Sequence, residues 1–418
     1  SAKKESLNPS ETALIREIEW THQRIKNVKQ SLVTKRTEVH NRALHSWRLA
    51  KEKNDFSLFK KDLEEILKLS KRFAKSIDPT TSIYRVLLQE YESGIEYEKI
   101  KELFSEVKKE ILILIEKQKN KRTSVVISDD GIDEKTKDAF NKFLATTIGF
   151  DFTKGRIDRS DRSFASWYGR IAIRQDNNWF EDISTILHET GHSMYTQGLP
   201  SQHFGTPLGA KRSLGVDEAV SLLWQNNIGS SESFWNFFFP HVKNMYNLPF
   251  EKEEFLTEIK RQKKGLIRTR ASELYYPLHI IMRFELEEEL MNGTLTAGRL
   301  LKRWNKKSKE FFGLEPKNPS QGVLQDIHWA KGFIGYFPAY LLGSIIASQL
   351  YFAMKHQIPD FDKELSLGNF SLVKDWLTKN IFIHGQKYST SELVEKATGK
   401  PLCAQDYIAY LKEKYNVQ

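Results

Sequence analysis

Apolar residues return every three or four positions along most of this chain, and that period commits it to helices. Between residues 10 and 118, Leu63, Ile66, Leu69 and Phe73 form one stripe, and Leu103, Val107, Ile111 and Ile115 form another. A stripe of this kind is stable only when packed against another element. Pro79 and Thr80, followed by Ser82, separate two of these helices, and no repeat period is evident. The helical signal resumes at 179 and holds to the end, with breaks at 198–200, 205–209, 247–249, 292–293, 316–319, 359 and 368. The intervening segment has a different texture. Residues 124–128 (SVVIS) are a candidate strand, and Ile171-Ala172-Ile173 fits a short buried one. Asp176-Asn177-Asn178 offers turn and helix-cap chemistry. The expectation is a mostly α protein with a small β-sheet. An N-terminal helical region, 1–120, precedes a second region, 121–418, in one continuous structural unit.

Composition excludes several classes. Hydrophobic residues make up 39% and charged residues 28%, and 26 Phe and 9 Trp can fill a large core. The net charge of +10 is spread over segments such as KDLEEILKLSKRF and KIKELFSEVKKEI, where Lys and Glu alternate at helical spacing. This is the pattern of solvated faces with local ion pairs. No long basic tract interleaves with aromatics, so no nucleic-acid partner is expected. The longest apolar region, near 333–352, is broken by Gly335, Pro338, Gly343 and Ser344 and reads as buried core rather than a membrane span. The single cysteine, Cys403, allows neither an intrachain disulfide nor a cysteine-based zinc site. That usage, and the lack of a signal-peptide core in the first twenty residues, gives a cytoplasmic expectation.

The chemistry is concentrated in WFEDISTILHETGHSMYTQGLP, which contains His188-Glu189-Thr190-Gly191-His192. Positions i and i+4 share one helical face, so two imidazoles can bind one ion at about 2.0–2.1 Å. Glu189 beside them is placed to act as general base on water activated by that ion. Ile183, Ile186 and Leu187 supply the apolar stripe of this helix, and Gly198 and Pro200 supply its stop. Gly191 inside it costs about 1 kcal/mol relative to Ala, which points to another backbone packed close by. An open catalytic zinc site needs a third protein ligand. The downstream candidates are His203, Asp217 and Glu218. Glu218 is favoured, because it lies in SLGVDEAVSLLWQNNIG with Val216, Val220, Leu223 and Trp224 on an apolar side. A carboxylate there is costly to bury unless it is paired or binds a metal. Asp217 suits a carboxylate that orients a ligand imidazole, and a helix cap equally well.

At this point the sequence resembles the carboxypeptidase Taq family of thermostable-type metallocarboxypeptidases. The likeness runs through GLPSQHFGTPLGAKRSLGVDEAVSLLWQNNIGSSESFW and through GVLQDIHWAKGFIGYFPAY. The latter keeps the family's G-x-x-Q-D-x-H-W signature at Gly322, Gln325, Asp326, His328 and Trp329. GFDFTKGRID, LYYPLHIIMRFELE, LVEKATGKPL and WRLAKEKNDFSLFKKDLEEI also look like family segments. The resemblance implies a large helical, gluzincin-like fold with a long substrate groove and a small sheet near the active site. It implies release of single residues from peptide C-termini, and commonly a homodimer. By carry-over, His188, His192 and Glu218 would be ligands of zinc, with cobalt or manganese able to replace it. Glu189 would be the base, and Gln325, Asp326 and His328 would line the groove, with hydroxyls from Tyr336 and Tyr340 just beyond.

The chain also departs from the family. Arg162-Ser163-Phe164 stands where the family has H-P-F, and Tyr168-Gly169-Arg170-Ile171-Ala172 where it has D-x-R-x-T. Asp217-Glu218-Ala219-Val220 keeps only the Glu of H-E-S/G-Q, and the N-terminal helical region is shorter than is usual. A carboxypeptidase must read a terminal carboxylate with a cation, preferably a guanidinium fork, and Arg170, Arg174, Arg268 and Arg270 are candidates. Two other readings stand beside the zinc carboxypeptidase: an oligopeptidase or endopeptidase with altered specificity, and a peptide-binding homologue with impaired catalysis.

Overall fold

The computed structural model describes residues 7–118, 124–129, 131–161, 163–166, 169–174 and 178–416. In them the helical period is realised as a succession of helices interrupted once by strands. The chain runs through α1 (Pro9–Ile25), α2 (Gln30–Lys53), α3 (Ser57–Ile77), α4 (Ile83–Leu88), α5 (Tyr97–Lys117) and α6 (Glu134–Thr147). Strands β1 (Arg156–Ser160), β2 (Phe164–Ala165) and β3 (Arg170–Arg174) come next, followed by α7 (Trp179–Gly198) and α8 (Leu214–Leu222). A π-helical turn, Leu223–Ile228, continues α8 and leads to α9 (Glu232–Tyr246) and α10 (Lys252–Ile259). The last helices are α11 (Tyr276–Asn292), α12 (Ala297–Phe312), α13 (Pro338–Gln357), α14 (Phe361–Ser366), α15 (Ser371–Asn380), α16 (Thr390–Thr398) and α17 (Gln405–Tyr415).

These elements gather into two units that interleave along the chain. The first comprises Ser1–Leu14, Lys117–Arg261 and Leu342–Gln418, and the second Ile15–Glu116 and Gln262–Leu341. The first unit is centred on aromatic side chains: Trp179, Trp224, Trp235, Phe234 and Phe238 are fully buried. In the second, Trp304, Tyr84, Phe59 and Phe104 fill the core together with a fully buried cation, Arg283.

The sheet has the order β1-β3-β2, with β1 parallel and β2 antiparallel to β3. Ile171, Ala172 and Ile173 form its buried centre, as the apolar run predicts. Residues 124–128 are a correction to the sequence reading: they form no strand. Val125 is buried but Val126 is 75% exposed, and neither belongs to a ladder of the sheet. The place of a further strand is taken by Arg156–Ser160, whose charged RIDRS sequence suits a partly exposed edge.

Helix boundaries follow the expected punctuation. Asn178 caps α7 by accepting from Phe180 N–H and Glu181 N–H, and Glu181 returns the bond to Asn178 N–H. Asp176 and Asn177 lie outside the described residues, as do Arg162 and Tyr168 of the altered family signatures. Helix α7 stops at Gly198 before Pro200, and Gly293 ends α11 in the left-handed conformation at φ 82°.

Candidate metal centre

The donor side chains of this site and their hydrogen-bond partners belong to the first unit and to two consecutive segments of chain. Helix α7 presents His188 and His192 one turn apart. A loop returns the chain to Ser213, which caps α8 by accepting from Val216 N–H, and α8 brings Asp217 and Glu218 in its first turns. The two helices approach very closely. A Cβ on Gly191 would lie 2.6 Å from Ser221 Cα and 3.0 Å from Ser221 N and Val220 O. The glycine inside α7 therefore marks the close backbone contact that its helix cost suggests.

The donor atoms of His188, His192 and Glu218 converge, all within 4.8 Å of one another. The two Nε2 atoms are 3.2 Å apart. Glu218 Oε2 is 3.6 Å from His192 Nε2, and Oε1 is 3.9 Å from His188 Nε2. The opposite nitrogens are pinned. His188 Nδ1 lies 2.8 Å from Gln225 Oε1, and His192 Nδ1 lies 2.8 Å from Asp217 Oδ1. Both oxygens are acceptors, so both Nδ1 atoms carry hydrogen, and when the rings are neutral both Nε2 atoms face each other with lone pairs. Two lone pairs held 3.2 Å apart repel unless a proton or a metal ion lies between them. Tetrahedral ligands at about 2.05 Å from zinc are themselves about 3.3 Å apart. The donor set therefore fits a divalent metal, and the structure states which nitrogen of each ring is available to it.

The sequence reading did not single out Gln225, Lys211 or Ser184. Gln225 lies on the π-helical turn, and its amide nitrogen donates to Ser184 Oγ of α7 at 2.9 Å. That bond fixes which end of the amide faces His188. Lys211 Nζ donates to Asp217 Oδ1 at 2.7 Å and to the His192 carbonyl at 2.8 Å. The electrostatics follow from these contacts. Burial and the neighbouring His192 lower the His188 pKa to about 4, which keeps the ring neutral. Burial opposes charge on His192 as well, but Asp217 outweighs it and raises that pKa. Burial raises the Glu189 carboxyl above the usual range. Burial would also raise Asp217, yet His192 and Lys211 hold it well below that range. Of the three candidates for a third ligand, only Glu218 joins the histidine donors; His203 sits on a separate turn, and Asp217 stands behind His192.

The remaining predicted residues fall elsewhere. Arg170 begins β3 with an exposed side chain, and its backbone N–H donates to Ser166 Oγ. Arg268, Gln325, Asp326, His328, Tyr336 and Tyr340 belong to the second unit. There Asp326 accepts from Arg268 Nε at 2.9 Å and from Arg283 Nε at 2.8 Å. Both guanidiniums hold its carboxyl far below the usual range despite burial. Gln325 is spent on backbone: Oε1 accepts from Arg268 N–H, and Nε2 donates to the carbonyls of Leu266 and Gly322. His328 Nε2 meets Tyr340 Oη at 3.1 Å, while its buried Nδ1 has no hydrogen-bond partner among the described residues. Tyr336 stacks on Phe333 and meets Tyr91 edge-on.

Against this geometry, the sequence model of the carboxypeptidase Taq (M32) metallopeptidase family matches residues 1–415. The chain belongs to that family. It is 34% identical over 387 residues to carboxypeptidase 1 of Bacillus subtilis, covering 90% of this chain and 77% of that protein. It is 31% identical to thermostable carboxypeptidase 1 of Thermus thermophilus, covering 98% and 84%. The fold superposes on the M32 carboxypeptidase of Deinococcus radiodurans with a TM-score of 0.94 at 29% identity, covering 99% of this chain and 86% of that one. This M32 protein is thus a metallocarboxypeptidase, a hydrolase of peptides that works with a metal cofactor. No helix among the described residues is long and apolar enough to cross a membrane.

Proposed function

We propose that this M32 carboxypeptidase is a zinc enzyme that removes C-terminal residues from peptides, with His188 Nε2, His192 Nε2 and a Glu218 carboxylate oxygen as the metal ligands. The observation that carries the reading is the convergence of the two Nε2 atoms beside Glu218 while Gln225 and Asp217 hold the opposite nitrogens. Bound there, zinc supplies Lewis acidity toward the scissile carbonyl and lowers the pKa of water. Glu189 is the general base: a carboxylate oxygen takes the proton from the attacking water and delivers it to the leaving amine. A raised carboxyl pKa, which its burial favours, suits both halves of that transfer. Asp217 and Gln225 hold the imidazoles in the tautomer that presents Nε2.

The substrate's terminal carboxylate needs a free cation. Arg170 is exposed and has no ion-pair partner among the described residues, so its guanidinium is available for that contact. Arg268, by contrast, is committed to Asp326. We assign substrate contacts also to His328, whose Nδ1 has no hydrogen-bond partner among the described residues, and to Tyr336, with Gln325 and Asp326 of the retained G-x-x-Q-D-x-H-W signature holding that segment through their bonds to backbone and to Arg268 and Arg283. The homodimer and the cytoplasmic setting belong to the same proposal, and sedimentation of the purified chain checks the first.

Glu189→Gln decides the mechanism. The variant should retain one equivalent of zinc by elemental analysis and lose hydrolysis of a peptide with a free C-terminus. The amidated twin of that peptide should resist the wild-type enzyme. Undiminished hydrolysis by the variant, or equal cleavage of both peptides, contradicts the proposal.

A further inference from the structure

Glycine in the middle of a buried helix sacrifices stability relative to alanine, so a mid-helix glycine invites a search for what touches it. Gly343 lies inside α13, between Leu341, Leu342, Ile345 and Ile346, which are all fully buried. What touches it is Glu218. A Cβ on Gly343 would lie 2.7 Å from Glu218 Cγ, 2.8 Å from Glu218 Cβ and 3.2 Å from the Glu218 carbonyl carbon. Carbon atoms in ordinary contact stand about 3.5–4.0 Å apart. The missing methyl is therefore the space that the stem of Glu218 occupies.

Gly191 makes the matching contact from α7, against the backbone of Ser221. Positions 218 and 221 are three apart on α8, so a glycine backbone from a different helix meets α8 at each of them. We propose that Gly343 is a positioning residue: its bare backbone is the wall that holds the Glu218 carboxylate within reach of the two imidazoles. This rests on the reading of Glu218 as a metal ligand. A side chain at 343 pushes the stem of Glu218 away by about 1 Å, judged from the same contact distances. A ligand held 1 Å out of place binds poorly even though the ligand set is complete.

Cobalt(II) binding to the full chain tests this without recourse to hydrolysis. Wild type should take up one equivalent with a tetrahedral visible spectrum. Gly343→Ala should bind cobalt tenfold or more weakly, with a changed spectrum, as changes to groups that orient a ligand do. Gly298→Ala is the control, because a Cβ there meets nothing closer than Thr296 Oγ1 at 3.9 Å. Equal affinity and spectrum in Gly343→Ala and wild type would overturn the inference. Failure of wild type to bind cobalt would instead overturn the metal-centre reading itself.

A second pair of variants covers the case in which Gly343→Ala does not fold. Glu218→Gly removes the Cβ and Cγ that the new methyl would strike and leaves the 3.2 Å contact as the nearest. In that background Gly343→Ala should leave the thermal midpoint nearly unchanged, whereas alone it should lower the midpoint or abolish folding. An equal loss in both backgrounds overturns the inference.

Discussion

Replacing Asp217 by Asn changes no shape and removes one charge, which makes it a sensitive probe of how His192 is held. Asp217 Oδ1 accepts from both His192 Nδ1 and Lys211 Nζ, at 2.8 and 2.7 Å. An amide oxygen in the same place keeps both contacts but loses the charge assistance, which roughly halves the strength of each. It also strands the Lys211 ammonium, whose side chain is 14% exposed. Stranding one partner of a fully buried pair costs about 3–5 kcal/mol, so roughly 2–3 kcal/mol of apo stability is at stake in this partly wet one. For the metal, weakening an imidazole's partner costs about 10- to 100-fold in affinity, or 1.4–2.7 kcal/mol. The uncompensated ammonium beside the site adds repulsion in the same direction.

The two losses have different cures. Adding Lys211→Met to Asp217→Asn removes the stranded charge and should recover most of the apo stability, seen as a higher thermal midpoint. It should not recover the metal affinity, measured by competition with a chelator, because His192 still faces a neutral acceptor. Lys211→Met alone should lower apo stability yet hold or raise affinity for a dication. The reasoning fails if Asp217→Asn binds zinc within twofold of wild type, or if the double variant is no more stable than the single one.

Other expectations follow from particular contacts. Asp326→Asn should destabilise the fold by about 3–5 kcal/mol, seen in denaturant unfolding, because two buried guanidiniums lose their shared carboxylate. Gly191→Ala gains about 1 kcal/mol in helix propensity but should still lower the thermal midpoint, since the methyl strikes the Ser221 backbone and overpacking costs about 1–3 kcal/mol. Glu287 carries the clearest pH dependence. Its carboxyl, buried beside Tyr84, Trp329 and Gly335, is pushed up to about 7 by burial, although three donors favour the charged form. A folded pKa above the unfolded one gives stability that is fully present at low pH and lost as pH rises through about 7. The full loss is roughly 3 kcal/mol, and Glu287→Gln should flatten the fall of the thermal midpoint between about pH 4.5 and 7.

The legibility of this site in the sequence depends on how far apart its parts lie. The pairing of His188 with His192, the Asn178 cap and the stop at Gly198 are local to one helix, so spacing alone exposes them. The closeness of a neighbouring backbone is readable in Gly191 because nothing local explains a glycine there. Glu218 stands out by its apolar helix, whereas Asp217 and His203 are separated from it only by the folded geometry. Gln225 is not readable. An uninterrupted α-helix from Leu214 would set its direction by the 3.6-residue period, and the π-helical turn from Leu223 breaks that period. Lys211 lies in a loop without periodicity, so its contact with Asp217 has no sequence signal. The same limit explains the sheet: β1 is a charged edge that reads as loop, while the apolar run at 124–128 reads as strand and is not one. The two units are hidden for another reason, since each is assembled from segments far apart in the chain.

The charges around the centre make a final prediction about metal removal. Lys211 cancels Asp217, and the two imidazoles are neutral when their Nε2 atoms act as donors. What remains is Glu218 and Glu189, the latter 8% exposed, together carrying the two negative charges that a dication balances. Stripping the metal leaves both carboxylates in a dry setting, where burial and the neighbouring Glu218 oppose the ionisation of Glu189. The apo protein should therefore unfold at a lower temperature, with the midpoint rising with free zinc as binding linkage requires. Glu189→Gln removes one of the two charges without touching a donor atom. It should raise the midpoint of the apo protein and lower the further gain that zinc confers. An apo Glu189→Gln protein no more stable than apo wild type would show that Glu189 is not part of this charge balance, however the metal itself is held.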